Sequence, residues 1–292
     1  MIKREICTLC YRKNSFKIKY ILSKFNIVEC TNCKLLARDI VFSKKEIEEI
    51  YSKDYFTKLQ KDYFSAGLTK ELENSLRVKD FENRFENIKK FTNIKKGKLL
   101  DVGCGTGVFL KIVKDDSWRT KGIEVSRFAS EVGKKKFNLD IVCNELKEIK
   151  LKRTSFDVVT GWDLIEHVEE PGELIVEIKR ILKNKGFVAF QTTMVDSLLF
   201  ILADLSYTLS LGKFSKLVEI AYPIHHSNHF SRKTLKKLLL KNGFRIIKTM
   251  NAEMFYEETS LPKIFIPVLN IIGFVSKLSG RTIELFIIGQ KK

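Results

Sequence analysis

The sequence lacks an apolar run long enough to cross a membrane. Its most apolar stretches, at 197–205, 209–220 and 261–278, are each interrupted by charged residues or prolines, whereas a membrane-spanning helix needs about 20 consecutive apolar residues. An apolar segment is also missing near the N-terminus, where Met-Ile-Lys-Arg-Glu leads straight towards Cys7. We therefore expect no spanning helix, no cleavable signal peptide and a cytoplasmic location.

Signatures of several nucleotide-binding and nucleic-acid-binding proteins are also missing. No Gly-Lys-Ser/Thr follows the glycines at 103–107, which excludes a P-loop, and Val108 occupies the third glycine position of the G-x-G-x-x-G motif of NAD-binding folds. The chain has no Asn-Pro-Pro-Tyr sequence of the kind that acts on base amines, and no arginine-rich stripe with interleaved aromatic residues. Nucleic acid is therefore not the expected partner.

The chain is strongly basic. Its 292 residues include 53 Lys and Arg against 35 Asp and Glu, which gives a net charge of +18. Such an excess indicates anionic partners, for example acidic lipid or a phosphorylated substrate. The alternative is a compositional background, because lysine is spread through almost every segment together with much isoleucine, asparagine and phenylalanine, as in proteins of AT-rich genomes. We favour the background interpretation.

Four of the six cysteines form two C-x-x-C units, which predict a structural zinc site. These ligands are Cys7, Cys10, Cys30 and Cys33. Two such units can supply the four thiolates of a tetrahedral Zn²⁺ site, which would hold together a segment too small for its own core. Four cysteines leave no open coordination position, so the metal is not expected to be catalytic. Tyr11 and Lys34 stand where a glycine usually follows each unit.

A glycine-rich loop lies between an apolar run and a helical pattern. Lys98-Leu-Leu-Asp-Val ends at residue 102, Gly103, Gly105 and Gly107 follow, and an apolar helical pattern begins at Val108. This order predicts a strand, a tight turn and a helix, the geometry in which backbone N–H groups face a bound ligand.

The stretch Asp101-Val-Gly-Cys-Gly-Thr-Gly107 resembles motif I of class I S-adenosylmethionine (SAM)-dependent methyltransferases. The resemblance implies that the glycines lie under the methionine part of SAM and that Glu124 holds the ribose hydroxyls. Asn144 stands where that family places a contact to the adenine amino group, usually an aspartate. The SAM contacts implied in this way are Asp101, Gly103, Cys104, Gly105, Gly107, Glu124, Val125, Asn144, Glu145 and Trp162.

Two further stretches extend the resemblance, and the chain between them alternates β and α patterns. Glu166-His167-Val168 is similar to a signature that follows the fourth strand, and Ile181–Val188 resembles the family's turn-glycine-strand motif. The predicted strands are 98–102, 120–124, 139–143, 156–160, 186–193, 244–250 and 282–289, and the predicted helices are 107–115, 127–137, 172–183 and 231–242. The implied fold class is α/β: a doubly wound, seven-stranded, Rossmann-like sheet with an antiparallel last strand.

The predicted organisation is a zinc-ribbon module at 1–42, a helical linker or lid at 43–97 and a methyltransferase domain at 98–292. The linker contains an amphipathic helix over 69–95. A zinc module followed by the aromatic residues Tyr51, Tyr55 and Phe56 resembles methyltransferases encoded with surface-polysaccharide and secondary-metabolite genes, in which this segment covers the SAM pocket. A hydrophobic hinge between modules is the alternative.

Two apolar helical regions interrupt the methyltransferase domain, at 194–224 and about 261–279. One interpretation makes the first a substrate-side cap packed over the active site, and we favour it. A second places these helices on a membrane surface, at the inner face of the membrane. A simple core role is the third.

The four histidines of the chain lie in two places, His167 and the group His225, His226 and His229. In the implied fold both places face the pocket, where an imidazole can act as general base towards a substrate hydroxyl. The Asp163-x-x-Glu166-His167 pattern is similar to that of ubiquinone-biosynthesis O-methyltransferases. It implies, as an alternative, a divalent metal at Asp163, Glu166, His167 and His225; a structural role for His167 is the third interpretation. The predicted catalytic residues are His167, His225, His229, Asp163 and Glu166.

The functional hypothesis is therefore a SAM-dependent O-methyltransferase. The favoured acceptor is a sugar hydroxyl of a surface glycan or of its lipid-linked or nucleotide-linked precursor. The alternatives are a quinone-type phenol at the membrane, an RNA base recognised by the basic surface and zinc module, and a scaffold protein that binds SAM without catalysis. The intact glycine loop and Glu124 argue against the last.

Overall fold

The computed structural model describes residues 2–55, 76–252 and 266–292. Phe56, the start of the helix predicted over 69–95 and the start of the helix predicted over 261–279 lie outside the described residues.

The described elements of the N-terminal part are β1 (Ile2–Lys3), β2 (Phe16–Ile21), β3 (Asn26–Cys30), β4 (Leu36–Arg38), β5 (Ile40–Val41), α1 (Lys44–Ile50) and α2 (Leu76–Thr92). The following strands are β6 (Lys98–Val102), β7 (Arg119–Glu124), β8 (Ile141–Cys143), β9 (Phe156–Trp162), β10 (Leu182–Thr193), β11 (Asn228–His229), β12 (Phe244–Ala252) and β13 (Glu284–Lys291). The helices among them are α3 (Val108–Asp115), α4 (Arg127–Phe137), α5 (Pro171–Ile181), α6 (Leu198–Leu209), α7 (Lys216–Ala221), α8 (Arg232–Lys241) and α9 (Ile266–Ser279), with a 3₁₀ turn at Leu146–Glu148.

The main sheet has seven strands in the order β12-β13-β10-β9-β6-β7-β8. Strands β10, β9, β6, β7 and β8 are parallel, and β13 is antiparallel to both β10 and β12. The predicted fold class, including the antiparallel last strand, is confirmed. Most strand boundaries differ from the predicted ones by one or two residues; β8, for example, begins at Ile141 rather than 139. The largest difference is in β10, which begins at Leu182 because an irregularity between Leu182 and Phe187 lets Leu182 pair with Phe156.

Both faces of the sheet are covered, because successive residues of a strand point to opposite sides. Leu100 and Val159 pack on the side of α5 and α8, in one buried cluster with Ile175 and Leu235. Their neighbours Leu99 and Val158 pack on the opposite side, with Phe81 of α2 and Phe109 of α3. The near-continuous apolar runs of β6 and β9 are those expected of strands buried on both faces.

The N-terminal module shares a second sheet with the part of the chain that forms the main sheet. Strands β2, β3 and β4 are antiparallel neighbours, and β11 pairs with the outer edge of β4, so the order is β11-β4-β3-β2. Asn228 pairs with Ala37 and His229 with Leu36. The module is therefore joined to the domain by main-chain hydrogen bonds.

The helical insertion after β10 packs against this module. Tyr20 and Ile27 of the module form a buried cluster with Phe200 of α6 and with Val218 and Tyr222. The Tyr20 hydroxyl donates to Asp204 over 2.6 Å. Within the described residues, no helix combines the length and apolar character needed to cross a membrane.

Candidate active site

The glycine loop forms the tight turn between β6 and α3. Gly103 and Gly107 have φ values of 71° and 81°, which a residue with a Cβ rarely adopts. A Cβ on Gly103 would lie 2.9 Å from Leu164. The Gly105 N–H donates to the Glu124 carboxylate over 2.8 Å, and the Ser126 N–H does the same. The carboxylate is thus held at the carboxyl end of β7, beside the loop.

A cavity of about 660 Å³ opens above this loop. Seven of the residues implied as SAM contacts line it: Gly103, Gly105, Glu124, Val125, Asn144, Glu145 and Trp162. A nucleoside with free ribose hydroxyls requires glycine backbone that it can approach closely and a fixed carboxylate that accepts from the hydroxyls. The residues present therefore fit SAM.

Three implied contacts lie elsewhere. Asp101 and Cys104 border a small void beneath the loop rather than the main cavity, and Gly107 is the N-cap of α3. Asp101 is buried and accepts a hydrogen bond from Thr160 over 2.6 Å. Burial raises the pKa of Asp101 to about 7. These residues shape the turn from below.

Tyr51 and Tyr55 line the cavity together with Ile47 of α1. The Tyr51 hydroxyl lies 2.8 Å from His167 Nδ1, and the two tyrosine rings meet edge to face with their centroids 5.0 Å apart. Burial raises the pKa of Tyr51 well above its usual value. Of the two interpretations of this segment, its contacts favour a cover over the pocket.

The expected cap at 194–224 occupies a different position. Thr193 and His225 line the cavity, but none of the described residues between them does. Helices α6 and α7 lie against the N-terminal module instead, because their buried side chains meet Tyr20 and Ile27. These contacts do not themselves support a cap over the active site, and that role stays a prediction.

All four histidines come together at one end of the cavity. The rings of His167 and His225 stack with their centroids 5.4 Å apart, and His226 meets His167 edge-on at 4.6 Å. One ring nitrogen each of His167, His225 and His226 lies within 4.8 Å of the others. His229 lies behind His226, packed on Tyr222, and is not among the cavity-lining residues.

Burial keeps these imidazoles neutral. It lowers the pKa of His167 to about 3 and of His225 to about 4, with smaller contributions from neighbouring imidazoles and from Arg38. The pKa of His226 is also lowered, by burial first. A neutral imidazole has a free lone pair, so the cluster can accept hydrogen bonds or bind a cation at neutral pH.

Two buried carboxyl groups, Glu166 and Glu284, also line the cavity. Burial raises the pKa values of Glu166 and Glu284 to about 8, and the nearby Asp163 adds to both shifts. Asp163 lies 3.9 Å from Arg77 and 4.0 Å from Arg84. Glu284 was not among the predicted site residues; its only signal is a carboxylate inside the apolar run of β13.

This arrangement changes the predicted second metal set. Among the described residues, the group of ligand atoms close enough to share an ion is His167, His225 and His226. The carboxylates of Asp163 and Glu166 do not belong to it, because Asp163 faces the arginines of α2 and Glu166 is buried beside Asp163. The atoms close enough to share an ion therefore include His226 and exclude the carboxylates of Asp163 and Glu166.

The four module cysteines converge as predicted. Cys7 Sγ lies 3.4 Å from Cys33 Sγ, and Cys10 Sγ lies 3.6 Å from Cys30 Sγ. Tetrahedral zinc with Zn–S bonds of about 2.3 Å places its sulfurs roughly 3.8 Å apart, so the set fits Zn²⁺. Tyr11 and Lys34, which replace the usual glycines, adopt left-handed backbone with φ of 62° and 66°.

The module also holds the segment that carries three of the histidines. Arg4 Nη2 donates to Ser227 Oγ over 2.7 Å, and Thr8 Oγ1 donates to Asn228 Oδ1 over 2.7 Å. The Arg38 guanidinium donates to the Ile224 carbonyl.

Glu169, which lines the cavity, joins the same network. Its carboxylate accepts from Arg4 over 2.8 Å, pairs closely with Arg38 and accepts from the Phe42 N–H over 3.1 Å. Both arginines are buried. Loss of one partner would leave a buried charge unpaired, so the network is a rigid connection between module and pocket.

Comparison with known proteins identifies the family. A family model described as a methyltransferase domain matches residues 76–249, more than half of the chain. Together with the seven-stranded sheet and the SAM-type loop, this shows that the chain belongs to the SAM-dependent methyltransferases.

Among sequence relatives, the ubiquinone biosynthesis O-methyltransferase of Pelagibacter ubique is 29% identical over 236 residues, which cover 70% of this chain and 92% of that enzyme. The Coxiella burnetii protein of the same name is 26% identical over 145 residues; the match covers 47% of this chain and only 59% of that enzyme's length. Among solved structures, the magnesium protoporphyrin IX methyltransferase of Synechocystis has a TM-score of 0.58 at 13% identity, with 86% of this chain and 100% of that chain covered. At that identity the likeness shows the fold alone.

Proposed function

We propose that this protein transfers a methyl group from SAM to a hydroxyl group of a small molecule. One observation carries the proposal: the same cavity is lined by Gly103, Gly105 and Glu124 and by the neutral imidazoles of His167, His225 and His226. The first set suits the donor, and the second supplies bases for the acceptor.

The donor is assigned to the glycine-loop end. Gly103 and Gly105 would approach the methionine part of SAM, and Glu124 would accept from the ribose hydroxyls. Asn144 and Trp162 would flank the adenine ring and the sulfonium group. When bound, SAM supplies an electrophilic methyl group, and its transfer requires little beyond alignment and a deprotonated acceptor.

His167 is the favoured general base. In the tautomer that carries its hydrogen on Nδ1, this nitrogen donates to the His225 carbonyl oxygen over 3.2 Å. Nε2 is then free to take the acceptor hydroxyl proton. The Tyr51 hydroxyl lies 2.8 Å from the same Nδ1 and so helps to fix the ring orientation.

A hydroxyl-rich acceptor suits the rim of the cavity. Glu169, Glu170, Glu173 and Glu177 line it along the start of α5, and carboxylates pair readily with sugar hydroxyls. This supports a sugar of a surface glycan, or of its lipid-linked or nucleotide-linked precursor. A quinone-type phenol is the second candidate, supported by the names of the sequence relatives and by the aromatic walls of Tyr51 and Tyr55.

The test measures methyl transfer from radiolabelled SAM to nucleotide sugars, lipid-linked sugars and hydroxylated phenols. His167→Gln should lower kcat by about 100-fold while SAM affinity, measured by calorimetry, stays unchanged. Gly105→Arg should instead abolish SAM binding, because the side chain would enter the space above the loop. Transfer to none of the acceptor classes, or a His167→Gln variant with wild-type kcat, would overturn the proposal.

We also propose a structural zinc ion at Cys7, Cys10, Cys30 and Cys33, supported by their convergence. The three imidazoles of His167, His225 and His226 support a second divalent ion as an alternative to simple base catalysis.

Elemental analysis of the purified protein counts these sites. We expect one zinc per chain, lost in Cys7→Ser and retained in His225→Ala. A second equivalent of metal that disappears only in His225→Ala would favour the metal-assisted alternative. Zinc that persists in Cys7→Ser would contradict the ribbon assignment.

A further inference from the structure

The outer sides of α6, α7 and α9 carry an unusual concentration of exposed apolar side chains. More than half of the large hydrophobic residues that are exposed in the described structure lie at 202–220 or 268–278. We call this surface the apolar face and define it by Leu205, Leu209, Leu211, Phe214, Ile271 and Phe274. Helix α6 contacts both α7 and α9, so these side chains belong to one region. Contiguous apolar patches of this kind mark interaction sites.

The inner sides of these helices are already occupied. Phe200 and Val218 are buried against the N-terminal module, and Leu269 is buried on the inner side of α9. The helices therefore cannot turn their apolar face inwards without breaking the cluster around Tyr20. Because they do not line the catalytic cavity, a role as a lid does not account for the exposed side chains either.

Leu211, in the loop after α6, is exposed and has a strained backbone conformation. Leu211 is 87% exposed and has a φ of 53°, in the left-handed region that usually holds glycine after a helix. A bulky side chain there costs roughly 1 kcal/mol. The next residue, Gly212, is a glycine and also has a positive φ, of 80°. The leucine thus stands beside a glycine in a conformation that glycine adopts without strain. Keeping a strained leucine at the most exposed point indicates a function for that side chain.

The charges around the apolar face are mainly basic. Lys213 and Lys216 lie in and after the exposed loop, Lys277 lies in the last turn of α9, and Arg281 follows that helix. Helix α9 has no acidic residue in its described length. Of the two carboxylates on α6 and α7, Asp204 is bound by Tyr20, and Glu219 accepts from Ser215.

An anionic bilayer matches this combination best. Helices with an apolar side and flanking lysines lie in the plane of a membrane interface, and none of the described helices is suited to spanning it. A second copy of the chain would bring another net charge of +18 and would place the same lysines opposite each other in a two-fold contact. Charge complementarity thus favours acidic lipid over self-association.

We propose that the apolar face is a docking surface for an anionic membrane. Leu211 and Phe214 of the exposed loop, with Ile271 and Phe274 of α9, enter the interface between headgroups and acyl chains. Lys213, Lys216 and Lys277 contact lipid phosphates. The proposal is independent of the acceptor and of the methyl transfer itself.

The test is co-sedimentation of the full chain with vesicles of phosphatidylcholine alone or mixed in equal parts with phosphatidylglycerol. The wild type should bind the mixed vesicles, and binding should weaken with salt. The double variant Leu211→Glu with Phe274→Glu should bind at least about tenfold less tightly. Lys213→Gln with Lys216→Gln should lose roughly fivefold for each lysine.

The matched control is Val176→Glu with Leu240→Glu. It makes the same charge change at two exposed apolar positions away from the apolar face, and it should bind like the wild type apart from a small electrostatic loss. Equal thermal stability of both double variants excludes misfolding. Equal loss in both, or a wild type that ignores mixed vesicles, overturns the proposal. The proposal is also overturned if light scattering shows that the wild type is a dimer and that the variant Leu211→Glu with Phe274→Glu is a monomer.

Discussion

At the scale of single residues, the pocket is governed by burial of ionisable groups. Desolvation acts oppositely on acids and bases: it raises the pKa values of Glu166 and Glu284 and lowers those of His167 and His225. Both shifts favour neutral forms. The pocket therefore holds protonated carboxyl groups and unprotonated imidazoles at the same pH, so that hydrogen-bond donors and hydrogen-bond acceptors coexist in it.

Glu284 provides a stability test. Its folded pKa of about 8 lies above its ordinary value of 4.5, so between these values the folded state binds a proton that the unfolded state lacks. Its stabilising contribution is thus present at low pH and is lost as pH rises towards 8. Asp163 raises this pKa further, whereas Arg84, Arg77 and a hydrogen bond from Gln191 lower it.

We expect Glu284→Gln to remove part of that pH dependence. Denaturant unfolding of the ligand-free protein at pH 5 and pH 8 should show the wild type losing about 3–4 kcal/mol more than the variant across this interval. Glu131→Gln, on the exposed side of α4, serves as the control and should follow the wild type. Parallel curves for wild type and Glu284→Gln would show that Glu284 is ionised throughout.

At the scale of elements, the N-terminal module positions the histidine segment. Strand β11 pairs with β4, and Arg4, Thr8 and Arg38 bind residues 224–228 through side chains. The N-terminal module therefore contacts the segment that lines the pocket without contributing a cysteine to the pocket.

Thr8→Val tests this positioning, because it removes the bond to Asn228 and keeps the side-chain volume. Hydrogen exchange measured by mass spectrometry should speed up about tenfold in 224–229, while the glycine loop at 101–107 keeps its protection. The exposed Thr208→Val should change neither segment. Unchanged exchange at 224–229 in Thr8→Val would assign the positioning to the strand pairing alone.

At the scale of the whole molecule, module and domain share a sheet and a buried cluster, so they should unfold together. Phe200, in that cluster, is almost fully buried between Tyr222 and the module. We expect calorimetry to show one transition, which Phe200→Ala shifts to lower temperature as a unit, with a loss of about 3–5 kcal/mol. Two transitions, only one of which moves, would show that the module folds independently.

The sequence by itself determined everything that depends on local pattern. The glycine loop, the alternation of strands and helices, Glu124 and the paired cysteines follow from turn geometry, side-chain periodicity and ligand spacing within short stretches. Tyr11 and Lys34 occupy positions where glycine is usual after each C-x-x-C unit, and the structure gives both a left-handed backbone.

Only the tertiary structure decided which surfaces meet. An apolar helix pattern shows that one side of α6 is buried, but not that it is buried against Tyr20, about 180 residues away along the chain. The gathering of the histidines with Tyr51, and the arrival of Glu284 beside Glu166, depend on the same long-range packing. Such contacts leave no local signal, because each side chain satisfies the pattern of its own element and the partner is set by how the layers stack.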